Sequence, residues 1–100
     1  MTPSLRIHSL ASRELTEAVR WYESKRAGLG GELVDEFSES IARLTRNPEP
    51  GNPMSADQQT RRLLMTRFPY QVVYRVRPSE IVVVALAHLK RRPGYWKHRE

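Results

Sequence analysis

The sequence predicts an α+β domain in which a helical hairpin packs on one face of a small antiparallel sheet, in the order β-α-α-β-β-β. Three observations predict it: two stretches with apolar residues at helical spacing between Leu10 and Leu44, a glycine-rich break between them, and three strand-like runs within residues 61–87. One hundred residues make one domain, expected to span 1–100, with a modest core and no room for an internal ligand chamber.

Ser4 to Leu10 opens as a short half-buried strand, with Leu5 and Ile7 alternating against Arg6 and His8. Ser9 is placed to cap the helix that follows. Ala11, Leu15, Ala18, Val19 and Tyr22 then form one apolar stripe, and the helix is expected from about Leu10 to Arg26. Gly28-Leu29-Gly30-Gly31 stops it and starts the next. Glycine accepts the left-handed turn that other residues resist. The loop lacks the Lys-Ser/Thr of a phosphate-binding P-loop and follows a helix, not a strand. Leu33, Phe37, Ile41 and Leu44 make the second helix, which Pro48 should end. So short a link between two amphipathic helices makes an antiparallel hairpin.

Asn47 to Gln59 is rich in proline and glycine and reads as an irregular connection. Strands are expected at Arg61 to Arg67, Tyr70 to Arg77 and Ile81 to Ala87, the last apolar on both faces and so internal to the sheet. Arg77-Pro78-Ser79-Glu80 is the turn between the last two. A tail, Leu89 to Glu100, follows.

Composition excludes several classes of function. With no cysteine there is no disulfide scaffold, thiolate zinc site or cysteine nucleophile. His8, His88 and His98 lack carboxylate partners at metal-like spacing, so neither a metal nor any other cofactor is expected. The longest apolar run, Ile81 to Ala87, is far short of a bilayer span, and no signal peptide is evident. A cytoplasmic protein is expected, with no membrane partner and no small-molecule substrate.

Charge is unevenly divided. Residues 1–50 carry 7 basic and 8 acidic side chains; residues 51–100 carry 10 basic and 3 acidic. Of the 17 basic residues in the chain 14 are arginine, whose planar fork suits phosphate and carboxylate alike. The back half is therefore expected to meet an anionic partner, nucleic acid or acidic protein. The candidate binding residues are Arg61, Arg62, Arg75, Lys90, Arg91, Arg92, Tyr95, Trp96, Lys97 and Arg99. With the hairpin on one sheet face, the other is expected to be open, and these side chains could converge on it.

Six pieces, in order, carry a resemblance: Ala18-Val19-Arg20-Trp21-Tyr22-Glu23, Gly28-Leu29-Gly30, Asn47-Pro48, Arg61-Arg62, Phe68-Pro69-Tyr70-Gln71-Val72-Val73-Tyr74, and His88 to Arg99. Together they resemble the RelE/ParE superfamily of type II toxin–antitoxin toxins, in its ParE, or plasmid-stabilisation, branch. The resemblance implies a small growth inhibitor silenced by a cognate antitoxin, a flexible and often acidic segment that wraps the toxin. It implies DNA gyrase as the target of the ParE branch, or the ribosome and its mRNA as that of the RelE branch.

The ribonuclease reading requires a base for the 2′-proton, cations for the crowded phosphate and an acid for the leaving oxygen. The resemblance puts Arg62, Arg91 and Tyr95 at nuclease places, with His88 as a substitute acid or base. Leu64 and Gln71 stand where the cutting branch carries cations, and the balance is against catalysis. If the chain is an enzyme, it is a metal-independent endoribonuclease. A plain basic nucleic-acid-binding module is the third reading. Trp21 and Tyr22 fit core and hairpin packing, Trp96 fits a tail folded back on the sheet, and His88 equally fits a hydrogen bond to backbone or Tyr95.

Overall fold

The structure, a computed structural model, describes residues 4–47, 52–53 and 59–100. Its elements are β1 (Ser4–Ile7), α1 (Ser9–Lys25), α2 (Leu29–Arg46), β2 (Asn52–Pro53), β3 (Thr60–Leu64), β4 (Tyr70–Val76) and β5 (Glu80–His88). The sheet runs β1-β5-β4-β3-β2. Two helices packed on a small sheet is the expected α+β arrangement. One pairing differs: β1 meets β5 in parallel, Ser4 opposite Glu80, so the sheet is mixed and not wholly antiparallel. Strand periodicity carries no sense of direction, and the helices between them supply the crossover that a parallel pair needs. The two-residue β2 pairs with Arg61 and Arg62 inside the stretch expected to be irregular. Pro48 and residues 49–51 and 54–58 of that stretch lie outside the described residues.

Helix α1 is capped by His8 and not by Ser9: the imidazole Nδ1 accepts from Leu10 N at 3.1 Å. Helix α2 begins at Gly28, which has φ 90° and no side chain to cap with. Glu23 of α1 does that work instead, accepting from the N–H groups of Gly28 and Gly30 at 2.9 Å each. Those bonds, aided by Arg26, hold its carboxyl below the usual glutamate range. The helices touch closely at Gly30, where a Cβ would lie 2.8 Å from the Val19 carbonyl oxygen. Glu36 ties α2 to the β3–β4 turn, accepting from Thr66 N at 2.6 Å, Thr66 Oγ1 at 2.9 Å and Arg67 N at 3.2 Å. Burial pushes its carboxyl up, but these bonds and the Arg67 charge outweigh that and leave it below the ordinary value.

The sheet carries a core on each face. Ala11, Ala18, Leu33, Phe37 and Leu44 pack on Val72, Tyr74, Ile81, Val83 and Leu86 beneath the hairpin. Val73, Val82, Val84, Ala85 and Ala87 face the other way, against Trp96. A bulge separates the two halves of β5: Tyr74 pairs with Val83 but Val73 with Ala85, leaving Val84 extra. Val84 and Ala85 therefore share a face. The second face is consequently not open, because the tail crosses it and buries Trp96 to 6% exposure.

What holds the tail is the unequal length of two strands. β1 has 4 residues and β5 has 9, so the β5 edge beyond Val83 has no strand beside it. Glu14 Oε1 accepts from Leu86 N at 3.1 Å and Arg99 Nη1 donates to the Val84 carbonyl at 3.0 Å. The same two side chains form an ion pair at 2.9 Å, each only 12% exposed. Tyr95 Oη donates to Glu14 at 2.6 Å, and Arg91 lies at 3.3 Å. Arg75 donates to the carbonyls of Arg99 and Lys97, and Arg6 to that of Glu100.

Gly30→Ala should lower stability by about 1–3 kcal/mol in a denaturant titration. Gly31→Ala, where an added Cβ meets nothing within 4 Å, should raise it by about 0.5–1 kcal/mol. Glu36, with its depressed pKa, contributes fully above 4.5 and loses that contribution as pH falls through its lower folded value. The stability gap between wild type and Glu36→Gln should therefore close on titration from pH 7 to below that range. Glu14→Gln leaves the shielded Arg99 guanidinium without a counter-charge. It should cost about 2–4 kcal/mol and speed amide hydrogen exchange across residues 94–99.

Candidate macromolecule-binding site

Register decides which cations share a face. Arg62 stands opposite Val73, and Gln71 opposite Ala87, so both point to the tail side. Arg62 Nη1 donates to Gln71 Oε1 at 3.2 Å, which aims the guanidinium along the sheet. The tail brings Arg91 and Arg92 over these two residues, closing a pocket of about 140 Å³ whose floor includes Ala87 and Trp96. Three guanidinium groups line it, and among the described residues no carboxylate does. Its volume and charge suit a phosphate or carboxylate group presented by a larger molecule.

Tyr95 is fixed beside the pocket. Arg91 lies 3.7 Å and Arg99 5.0 Å from its ring centroid, both attracted to the ring's negative face. Burial, then the hydrogen bond to Glu14 and the charge of that carboxylate, push its phenol well above the ordinary range. The phenol holds its proton in the hydrogen bond to Glu14, which opposes its release to a leaving group.

A second, larger cleft of about 320 Å³ opens on the other side of Arg91, between α1 and the ends of β4 and β5. Trp21, Tyr22, Tyr70 and His88 form a chain of edge-to-face rings along it, with centroid separations of 4.9, 6.3 and 5.1 Å. His88 Nδ1 accepts from Lys90 N at 3.0 Å, the backbone alternative of the sequence reading. Trp21 differs from expectation. Tyr22 packs against Phe68, while Trp21 remains 56% exposed on the cleft wall.

The candidate residues thus separate. Arg62, Arg91, Arg92, Tyr95 and Trp96 gather at the basic pocket, with Lys90 and Lys97 exposed on the same tail. Arg75 is engaged by tail carbonyls, and Arg99 by Glu14 and Val84. Arg61 stands opposite Tyr74 and so belongs to the hairpin side of the sheet. The catalytic candidates also divide: Arg62, Arg91 and Tyr95 line the pocket, whereas His88 lines the cleft. Glu14 and Arg6 are the residues sequence reasoning passed over, and Gln71, read only as a missing cation, is the partner that orients Arg62. Glu14 had a signal, since Ala11, Glu14 and Ala18 are spaced 3 and 4 and place the carboxylate on the sheet-facing stripe. Among the described residues no three potential metal ligands come together, and no helix is long and apolar enough to cross a membrane.

The solved structure of a chromosomal ParDE toxin–antitoxin system from P. aeruginosa superposes with a TM-score of 0.76, covering 87% of this chain and 96% of that one at 20% identity. At that identity the likeness is one of fold. No curated protein sequence matches this one. The family model for the ParE toxin of the type II toxin–antitoxin system parDE matches residues 5–93, from β1 to Pro93 in the tail. The chain belongs to the ParE toxin family.

Proposed function

We propose that this ParE-type toxin is a single domain spanning residues 1–100 that arrests growth in the cytoplasm by gripping an anionic macromolecular target, with DNA gyrase the first candidate, and that a cognate antitoxin neutralises it. The observation that carries this reading is the basic pocket of Arg62, Arg91 and Arg92, lined by no carboxylate among the described residues, with Lys90 and Lys97 exposed on the same tail. Such a surface binds by charge and shape and requires no bond chemistry.

The acid–base groups support binding over cleavage. Tyr95 keeps its proton in a hydrogen bond donated to Glu14, and His88 stands in the other cleft with Nδ1 accepting from Lys90 N. Leu64, exposed on the tail side opposite Gln71, supplies no charge where the cutting branch needs one. The convergence of Arg62, Arg91 and Tyr95 on one pocket keeps the ribosome-dependent endoribonuclease as a second reading. A plain duplex-binding module would instead bind DNA alone with a steep salt dependence.

Induced expression of the chain alone should stop growth and filament the cells, and co-expression of the antitoxin should restore division. Purified toxin should block gyrase supercoiling, and Arg62→Glu with Arg92→Glu should abolish the block. Primer extension on translating ribosomes should show no new A-site cuts. Cuts at stoichiometric toxin with gyrase unaffected would replace this reading with the nuclease one.

A further inference from the structure

The basic pocket is assembled from two parts that reach it by different routes. Arg62 and Gln71 stand on β3 and β4 and are placed by sheet register. Arg91, Arg92, Pro93, Tyr95 and Trp96 belong to the tail, so two of the three guanidinium groups are present only while the tail lies on the sheet.

Much of what keeps it there lies beyond Gly94, whose φ of 80° is a left-handed turn that suits glycine. Past that turn Arg75 donates to the Lys97 and Arg99 carbonyls, and Arg6 to that of Glu100. Tyr95 and Arg99 both meet Glu14. The segment before Gly94 is held at its start, where Leu89 N donates to the Pro69 carbonyl and Arg91 N to that of His88. Arg92 and Pro93 lie between the two fixings.

Glu14 lines the neighbouring cleft and not the pocket, so it bears on a pocket occupant through other residues. Its carboxylate fixes the Tyr95 hydroxyl at 2.6 Å, and Arg91 rests 3.7 Å from the centroid of that ring. Its ion pair with Arg99 is shielded on both sides, a pair that dissolved salt screens little.

Resting on the reading of the basic pocket as the binding site, we propose that Glu14 is a positioning residue for anion binding: it latches the tail, and the pocket grips an anion only in the latched state. Latching and binding are then one linked equilibrium, each favouring the other by the same factor. The sign of the effect separates this from simple charge. Glu14 is a carboxylate 3.3 Å from Arg91, so its removal makes the surroundings of the pocket more positive. Charge alone then predicts tighter anion binding, whereas loss of the latch predicts weaker binding.

Inorganic phosphate is titrated at constant ionic strength into wild type, Glu14→Gln, Glu17→Gln and Arg62→Gln, followed by the arginine Nε–H resonances of ¹⁵N-labelled protein. Arg62→Gln is expected to lose most of the affinity, which assigns the phosphate to the pocket. Glu14→Gln is expected to bind more weakly by about fivefold or more. Glu17→Gln removes the same charge from an exposed position on the same helix and is expected to stay within about twofold of wild type. In the wild type, phosphate at about ten times its Kd is expected to slow hydrogen exchange of the Lys97 and Arg99 amides by about tenfold. Equal or tighter binding by Glu14→Gln, or an equal loss in Glu17→Gln, overturns the proposal. Unchanged exchange at the two amides does so as well, and needs only the wild-type chain. Phosphate binding that survives Arg62→Gln, or no binding at all, overturns the pocket reading together with the proposal.

Discussion

A strand edge left bare and then filled by side chains organises this molecule. β1 ends at Ile7 while β5 continues to His88, so backbone groups of Val84 and Leu86 would face outward without a ladder partner. Buried backbone groups must be satisfied, and here a carboxylate from α1 and a guanidinium from the tail do so while neutralising each other. The first helix, β5 and the tail meet at that point. Remove it and the tail loses its anchor, Trp96 its cover over the second core, and Arg91 and Arg92 their placement above the sheet.

This economy divides the positive charge into two kinds. Arg75, Arg99 and Arg6 are structural, spent on tail carbonyls and on Glu14. Arg62, Arg92, Lys90 and Lys97 remain directed outward, and Arg91 belongs partly to each group. A count of cations along the sequence cannot distinguish the two, because guanidinium groups that hold carbonyls and those that seek phosphate have the same composition. Bidentate, many-donor geometry makes arginine apt for both tasks, consistent with a tail so rich in it.

Much of the fold was legible because it is written in local periodicity. The apolar stripes of α1 and α2, the glycine break and the β4 alternation each needed only their own neighbourhood to be read. What escaped depends on distance. The parallel sense of β1 against β5 is invisible to alternation, and the bulge at Val84 hides in a run apolar on both faces. His8 as cap was overlooked because serine is the commoner choice. The site was readable in its residue types but not its partition. Periodicity of two narrowed Arg61 and Arg62 to opposite faces, and register alone assigned Arg62 to the pocket. Glu14 lies at the centre because partners 72 to 85 positions away reach it, a distance no local pattern spans.

That span has a bearing on how the protein comes into being. A ribosome releases the chain from its first residue onward, so Glu14 emerges long before Arg91, Tyr95 and Arg99. The helix hairpin and strands can gather early, but the basic pocket lacks its outer wall until residues 89–96 are free to fold over the sheet. The surface that would seize a cellular target is therefore absent while only the segments before Leu89 have emerged.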